Sequence, residues 1–264
     1  MIREEREAAA RMWGATGRAY DEMSFMVSDA LAHAAQRLQI QRAETVLDVA
    51  TGTGWTARNL ARSGGEVTAI DVAEEMIAGA IALSTHVYPP IAFRIGDAED
   101  MPFADGQFDA VASTFGVMFA PDQQKAASEM ARVCRPGGRL ALLSWPPTGS
   151  VAEFFAVTGK YSAEPPTEPS PLLWGDPDHV TSLLSESFDL TFETGISRSY
   201  HPDGEQVGSL FEQSFGPVVT MLASLDEERA TELRQDLIDF HERYRGDGGL
   251  CVERPYLLVL GTRR

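Results

Sequence analysis

The sequence predicts an α/β fold built on a doubly wound parallel sheet, and three observations carry that expectation. Between residues 45 and 145, short β-branched or apolar runs alternate with helical patterns, as strands joined by crossover helices do. The first run, Val46-Leu47-Asp48-Val49, passes into Ala50-Thr51-Gly52-Thr53-Gly54, a glycine loop that delivers a nucleotide-like ligand onto the start of a helix. Later, two helical stretches stand between the last two strands, more than a hairpin needs.

Taken in order, residues 1–42 read as helix, turn and helix, broken at Gly14 to Gly17 with a second start after Ser24 or Ser28. Such a segment is stable only when packed on the larger domain, residues 43–264. Strands are expected at Thr45 to Val49, Glu66 to Ile70, Ile91 to Ile95, Phe108 to Ser113 and Arg139 to Trp145. Between them lie helices at Trp55 to Arg62, Ala73 to Ser84 and Gln123 to Cys134, the last stopped by Arg135-Pro136-Gly137-Gly138. A Pro-rich surface loop follows from Glu164 to Pro171, then a helix at Pro177 to Ser187 and a strand at Phe188 to Ser197. Helices at Glu205 to Ala223 and Asp226 to Arg245, the second with a Ser224/Glu227 capping box and Gly246 at its end, form a helical lid inserted at about 204–246. A closing strand runs from Pro255 to Thr262.

Composition narrows the partners. The formal net charge is −17, from 39 acidic against 22 basic residues, which repels a phosphate backbone and argues against nucleic acid. No run approaches the roughly 20 apolar residues that cross a bilayer, and Met1 to Glu7 lacks the apolar centre of a signal peptide. The expectation is a cytoplasmic protein without membrane insertion. Cys134 and Cys251 stand apart, with no Cys-x-x-Cys or His-rich neighbourhood, so neither a disulfide framework nor a metal site is expected.

The chemistry concentrates at strand ends. Gly52-Thr53-Gly54-Trp55-Thr56-Ala57 fits the dinucleotide pattern, but Asp48 lies where it would repel a pyrophosphate, and Trp55 is bulky where one needs close approach. Both favour a cofactor without phosphates. Asp71 ends the second strand, 19 residues on from Gly52, where a carboxylate accepts ribose hydroxyls; capping the next helix is its alternative duty. After the third strand, Asp97 can receive an adenine amine while the Ala98 amide addresses a ring nitrogen; a plain acidic surface loop is the alternative.

Four blocks in order, VLDVATGTG, VTAIDVAEEMI, GDAEDMPFADGQFDAV and RVCRPGGRLALLSW, resemble class I S-adenosylmethionine-dependent methyltransferases, in the type 11 group that includes ubiquinone and menaquinone biosynthesis enzymes. The resemblance covers residues 45 to 145. It implies a Rossmann-like sheet of seven strands, mostly parallel with the last antiparallel, and S-adenosyl-L-methionine as cofactor, released as S-adenosyl-L-homocysteine. By the same resemblance the cofactor is held by Tyr20, Asp48, Ala50, Thr51, Gly52, Gly54, Trp55, Asp71, Val72, Met76, Asp97, Ala98, Glu99, Thr114 and Phe115. Ala50 departs from the family's usual Gly, so the turn must accommodate a methyl group.

Phe115, Phe119, Trp145 and Trp174 are the candidates for the acceptor pocket, with a core role the alternative for both tryptophans. The sulfonium is already an activated methyl donor, so in-line positioning and exclusion of water are the main tasks. His33, His86, His179, His201 and His241 are the possible bases; none has a recognisable partner, and no catalytic residue is assigned. The leading function is methyl transfer (EC 2.1.1) to a small-molecule acceptor by a monomer or homodimer. An NAD(P)-dependent oxidoreductase and a cofactor-binding protein without transferase activity are the alternatives.

Overall fold

The computed structural model describes residues 6–163 and 168–264. The very start of the chain, and Glu164 to Thr167 of the expected Pro-rich loop, lie outside them. The chain enters through α1 (Glu7–Gly14), a tight turn over Gly17–Tyr20, α2 (Asp21–Met26) and α3 (Ser28–Arg37). The α/β core follows as β1 (Thr45–Val49), α4 (Trp55–Arg62), β2 (Glu66–Asp71), α5 (Glu74–Leu83), β3 (Ala92–Ile95), β4 (Phe108–Thr114), α6 (Gln123–Val133) and β5 (Cys134–Ser144). The remainder forms α7 (Ser150–Gly159), α8 (Pro177–Leu184), β6 (Phe188–His201), α9 (Gly204–Ser214), α10 (Gly216–Ser224), α11 (Glu227–Glu242), the two-residue β7 (Arg245–Gly246) and β8 (Gly249–Arg263).

The sheet order is β3-β2-β1-β4-β5-β8-β6, with β7 paired to β8. Only β8 of the seven long strands runs against the rest, antiparallel to both β5 and β6. This is the mostly parallel, Rossmann-like sheet that the blocks implied. Helices cover both faces of its central strands, so Val46, Leu47 and Val49 of β1 are wholly buried. Each buried side chain of that size contributes roughly 1.5–3 kcal/mol. The crossover helices are amphipathic: α4 buries Thr56, Ala57, Leu60 and Ala61, and α6 buries Ala126, Ala127, Met130 and Ala131. Asp122 starts α6 by accepting the Lys125 amide at 2.9 Å.

Several expected boundaries move. The single helix over Glu205 to Ala223 is two, because Pro217 cannot continue α9 and instead sits in the first turn of α10. The Ser224/Glu227 capping box does not form: Asp226 caps α11 by accepting the Arg229 amide at 2.9 Å, while Ser224 Oγ donates to the Met221 carbonyl. Gly246 lies in β7 rather than at the helix end. Cys134 to Gly138 join β5 across a register shift opposite Phe108 and Ala110, so Pro136 marks a bulge and not only a turn.

The largest extension has consequences for the site. Ser144, the last residue of β5, stands opposite Leu257, yet β8 already pairs with β6 from Leu250 opposite His201. Gly195–His201 and the facing start of β8 therefore project past the carboxyl ends of the parallel strands as a two-stranded ribbon. Helices α7, α9 and α11 pack on this ribbon. Their apolar faces form a second core around Phe154, Val207, Phe211, Leu233, Leu237 and Leu250, joined by Met23 and Met26 of α2. The N-terminal segment is wedged between α5 and α10: a side chain on Gly14 would strike Glu75, and one on Gly216 the Met12 carbonyl.

Candidate active site

At the carboxyl ends of β1, β2 and β4 the backbone turns sharply. Ala50, Gly52 and Gly54 all have positive φ, at 54°, 55° and 86°. Gly52 presents bare backbone beneath the Tyr20 ring, which would lie 3.5 Å from an added Cβ. Gly54 has a different duty: a Cβ there would meet Phe93 at 3.2 Å and Ala80 at 3.3 Å, so its missing side chain serves packing and not a ligand.

Asp71 closes β2 and holds the loop. Its carboxylate accepts the Gly52 amide at 2.8 Å and the Ala73 amide at 3.0 Å, so it also performs the helix-start duty weighed against ligand binding. Burial pushes its pKa up, and those amides pull it back. Each oxygen retains acceptor capacity for a further donor. Burial and the Asp71 charge raise the Tyr20 phenol above its ordinary range, so Tyr20 stays a neutral hydroxyl.

A continuous cavity runs from these strand ends to the ribbon. Tyr20, Ala50, Thr51, Gly52, Trp55, Asp71, Val72, Met76, Asp97, Ala98, Glu99, Thr114 and Phe115 line it, and so do the expected acceptor residues Phe119 and Trp145. Three expected residues do not. Asp48 is wholly buried behind the loop, where it accepts the Thr51 hydroxyl at 2.5 Å. Gly54 faces Phe93, and Trp174 is fully enclosed in the main core. Trp174 lies within a capped turn, Pro171–Gly175, with its side chain buried, which its apolar Leu172-Leu173-Trp174 run did not distinguish from a pocket wall.

The structure adds residues that the sequence reading passed over. Arg6 reaches Asp97 at 3.3 Å and also pairs with Glu99. Trp13 stands edge-on to Phe215 and tilts over Phe119, closing the mouth with Tyr20. Phe154, Phe211 and Phe240 line the far end with His241, Val252 and Arg254. Among the five histidines only His241 is on the wall. Its Nδ1 lies 2.7 Å from the Leu237 carbonyl, which can only accept, so Nδ1 carries the proton. Burial, with the Arg254 and His201 charges, pulls its pKa down to about 4 against that bond, leaving the ring neutral. His33 bonds Tyr256, His179 bonds Gln123 and His201 bonds Ser199, structural duties for all three.

Known proteins resemble this chain in sequence and in fold. Residues 47–142 match the Methyltransferase domain family model. An uncharacterized protein of Mycobacterium tuberculosis is 33% identical over 224 residues, covering 83% of this chain and 81% of that one. A demethylmenaquinone methyltransferase of Paenarthrobacter aurescens is 30% identical over 189 residues, covering 63% and 73%. The chain belongs to the class I S-adenosylmethionine-dependent methyltransferases. Solved structures share the fold of this methyltransferase at lower identity. Phosphoethanolamine N-methyltransferase 2 of Haemonchus contortus, in complex with S-adenosyl-L-methionine, superposes with a TM-score of 0.57 at 16% identity, covering 89% of this chain and 52% of that one. The [4+2]-cyclase SpnF does so at 0.58 and 18%, covering 89% and 80%. The fold alone therefore does not fix the reaction.

Proposed function

We propose that this methyltransferase binds S-adenosyl-L-methionine across the ends of β1 to β4 and transfers its methyl group to a small apolar molecule held between Phe115, Trp145 and the ribbon. The observation that carries the reading is the continuity of the cavity. One end offers carboxylates and bare backbone, the other an aromatic chamber, and Phe115 lies between them.

The residues present fit the cofactor. Asp71 would accept the ribose hydroxyls while staying fixed by two amides, and Val72 and Met76 give the adenine apolar flanks. Asp97 and the Ala98 amide would read the adenine edge, and Gly52, Thr51 and Ala50 would carry the methionine portion beneath Tyr20. Asp48 acts through Thr51, as a positioning residue. When bound, the sulfonium supplies an electrophilic methyl group that needs no activation by the protein. The chain's own contribution is to orient the acceptor in line and to keep water out, and the aromatic cluster suits both tasks.

The helices α9 to α11 serve as a lid over this chamber, and the N-terminal helices close its mouth. Calorimetry should show S-adenosylhomocysteine binding at micromolar or tighter affinity and no binding of NADH. A labelled-methyl screen over apolar phenols, carboxylates, amines and carbon acids should then yield a product. Failure of both S-adenosylmethionine and S-adenosylhomocysteine to bind folded protein would remove the reading. Binding without any labelled product would instead favour a cofactor-dependent activity without transfer.

A further inference from the structure

Arg254 carries a charge that no described carboxylate pairs. On β8 the inward positions alternate as Leu250, Val252, Arg254 and Tyr256, all buried, which places a guanidinium in the chamber wall among phenylalanines. It is 6% exposed. Nη1 donates to Ser199 Oγ at 2.6 Å and, at 3.5 Å, to the Val252 carbonyl. Nε and Nη2 donate to none of the described residues, and no described carboxylate comes within 4.0 Å. The acidic groups that act on it are the Tyr244 phenol and then Asp29, which is held by Ser197 Oγ at 2.5 Å and the Ala30 amide at 2.8 Å. The neighbouring His241 is neutral and supplies no negative charge.

A guanidinium so sheltered, lining the cavity with two donor groups that no described residue accepts, is costly to leave without an anion. Its planar fork matches a carboxylate, which it binds through two parallel hydrogen bonds. Building on the methyltransferase reading above, we infer that Arg254 is the anchor for the acceptor, and that the acceptor is an apolar molecule bearing a carboxylate. The apolar body lies against Phe154, Phe211 and Phe240, and the carboxylate meets Nε and Nη2. Arg254 is then a specificity-determining residue at the ribbon end of the chamber.

Matched probes test this without knowing the acceptor: cinnamate against cinnamamide, and decanoate against decanamide, titrated by calorimetry into full-length protein saturated with S-adenosylhomocysteine. At least one carboxylate should bind tenfold or more tightly than its amide. Arg254→Met should remove that preference and Arg254→Lys reduce it in part, with S-adenosylhomocysteine affinity within twofold of wild type throughout. Arg254→Met should also melt at or above the wild-type temperature, because it removes a buried charge with no protein counter-ion. Equal binding of acid and amide in both pairs, binding of neither, or a carboxylate preference that survives Arg254→Met overturns the inference. If Arg254→Met does not fold, Arg254→Lys and the wild-type acid-to-amide ratio decide it. S-adenosylhomocysteine binding is measured separately, so loss of the methyltransferase reading would show there, and the probe titrations would be read on the protein alone.

Discussion

Phe115 and Trp145 stack face to face, their ring centroids 3.7 Å apart and their planes 5° from parallel. The two rings leave the carboxyl ends of adjacent strands, β4 and β5, and form the floor of the chamber. Phe115 reaches this position with φ at +59°, a left-handed backbone that costs an L-residue roughly 1–2 kcal/mol. Phe115→Ala keeps that strain and loses the stack, so we expect about 1–3 kcal/mol of destabilisation in urea unfolding and a severalfold rise in acceptor KM. Phe115→Gly loses the same ring but relieves the backbone, and should be no less stable than Phe115→Ala. A Phe115→Ala variant with unchanged acceptor KM would take this ring off the acceptor's path.

Ala50 and Gly116 form the tightest backbone approach in the site. A Cβ on Gly116 would stand 2.5 Å from Ala50 Cβ and 2.6 Å from its carbonyl oxygen. Gly116→Ala should therefore cost about 2 kcal/mol or more, through a clash that the strand ends cannot relieve. Ala50, at φ +54°, holds a conformation suited to Gly, so Ala50→Gly is expected to be neutral or stabilising by up to about 1 kcal/mol, with cofactor affinity kept. Paired denaturation curves check both, and a strongly destabilised Ala50→Gly would show that the methyl group has a packing role.

Much of this was legible in the sequence, and the reasons differ by region. The parallel core carries its own local signals, so β1 and α4 fall where their residues placed them, and Asp71 and Asp97 stand at strand ends as their spacing required. The ribbon side of the cavity could not be read that way. Helix α7 is rich in Val and Phe, whose local preference is for strands, and only packing against the ribbon and α11 makes it helical. Arg254 lay one residue before the strand expected from Pro255, so its inward register was invisible until β8 was seen to begin at Gly249. Arg6 meets Asp97 across 91 residues, a pairing that no local pattern encodes.

Asp48 ties stability to pH. Burial lifts its carboxyl to about 7, with the nearby Asp71 charge adding to this and the Thr51 hydroxyl opposing it. The unfolded chain releases this proton near pH 4, so between about pH 4 and 7 the native protein holds a proton that the unfolded chain has lost. Its contribution therefore makes stability fall as pH rises across that window, by up to about 1.4 kcal/mol per pH unit, and level off above it. Asp71, also raised, acts in the same direction, whereas Glu129 and Asp109, lowered beside Arg132 and Arg135, oppose it at lower pH. Subtracting Asp48→Asn from wild type isolates the contribution of Asp48. The variant should gain stability relative to wild type from pH 4 to 7, and parallel pH profiles for the two proteins would refute an elevated Asp48.

Arg6 bridges the N-terminal helix to the β3 end of the cavity, where its guanidinium, at 11% side-chain exposure, pairs with both Asp97 and Glu99. A pair so sheltered is screened less by salt than a surface pair. Glu99 is also fixed from the other side by the Asp122 amide at 2.8 Å, so the acidic loop keeps its position if Arg6 is removed. The main consequence of Arg6→Ala should be a looser mouth: the α1 segment, which also carries Trp13 over Phe119, loses its anchor on the β3 loop. Affinity differences within one complex are expressed mostly in dissociation rates. We expect stopped-flow displacement of S-adenosylhomocysteine to be threefold to tenfold faster in Arg6→Ala, with the association rate changed less. A dissociation rate equal to wild type would mean that the N-terminal helix does not hold the cofactor in place.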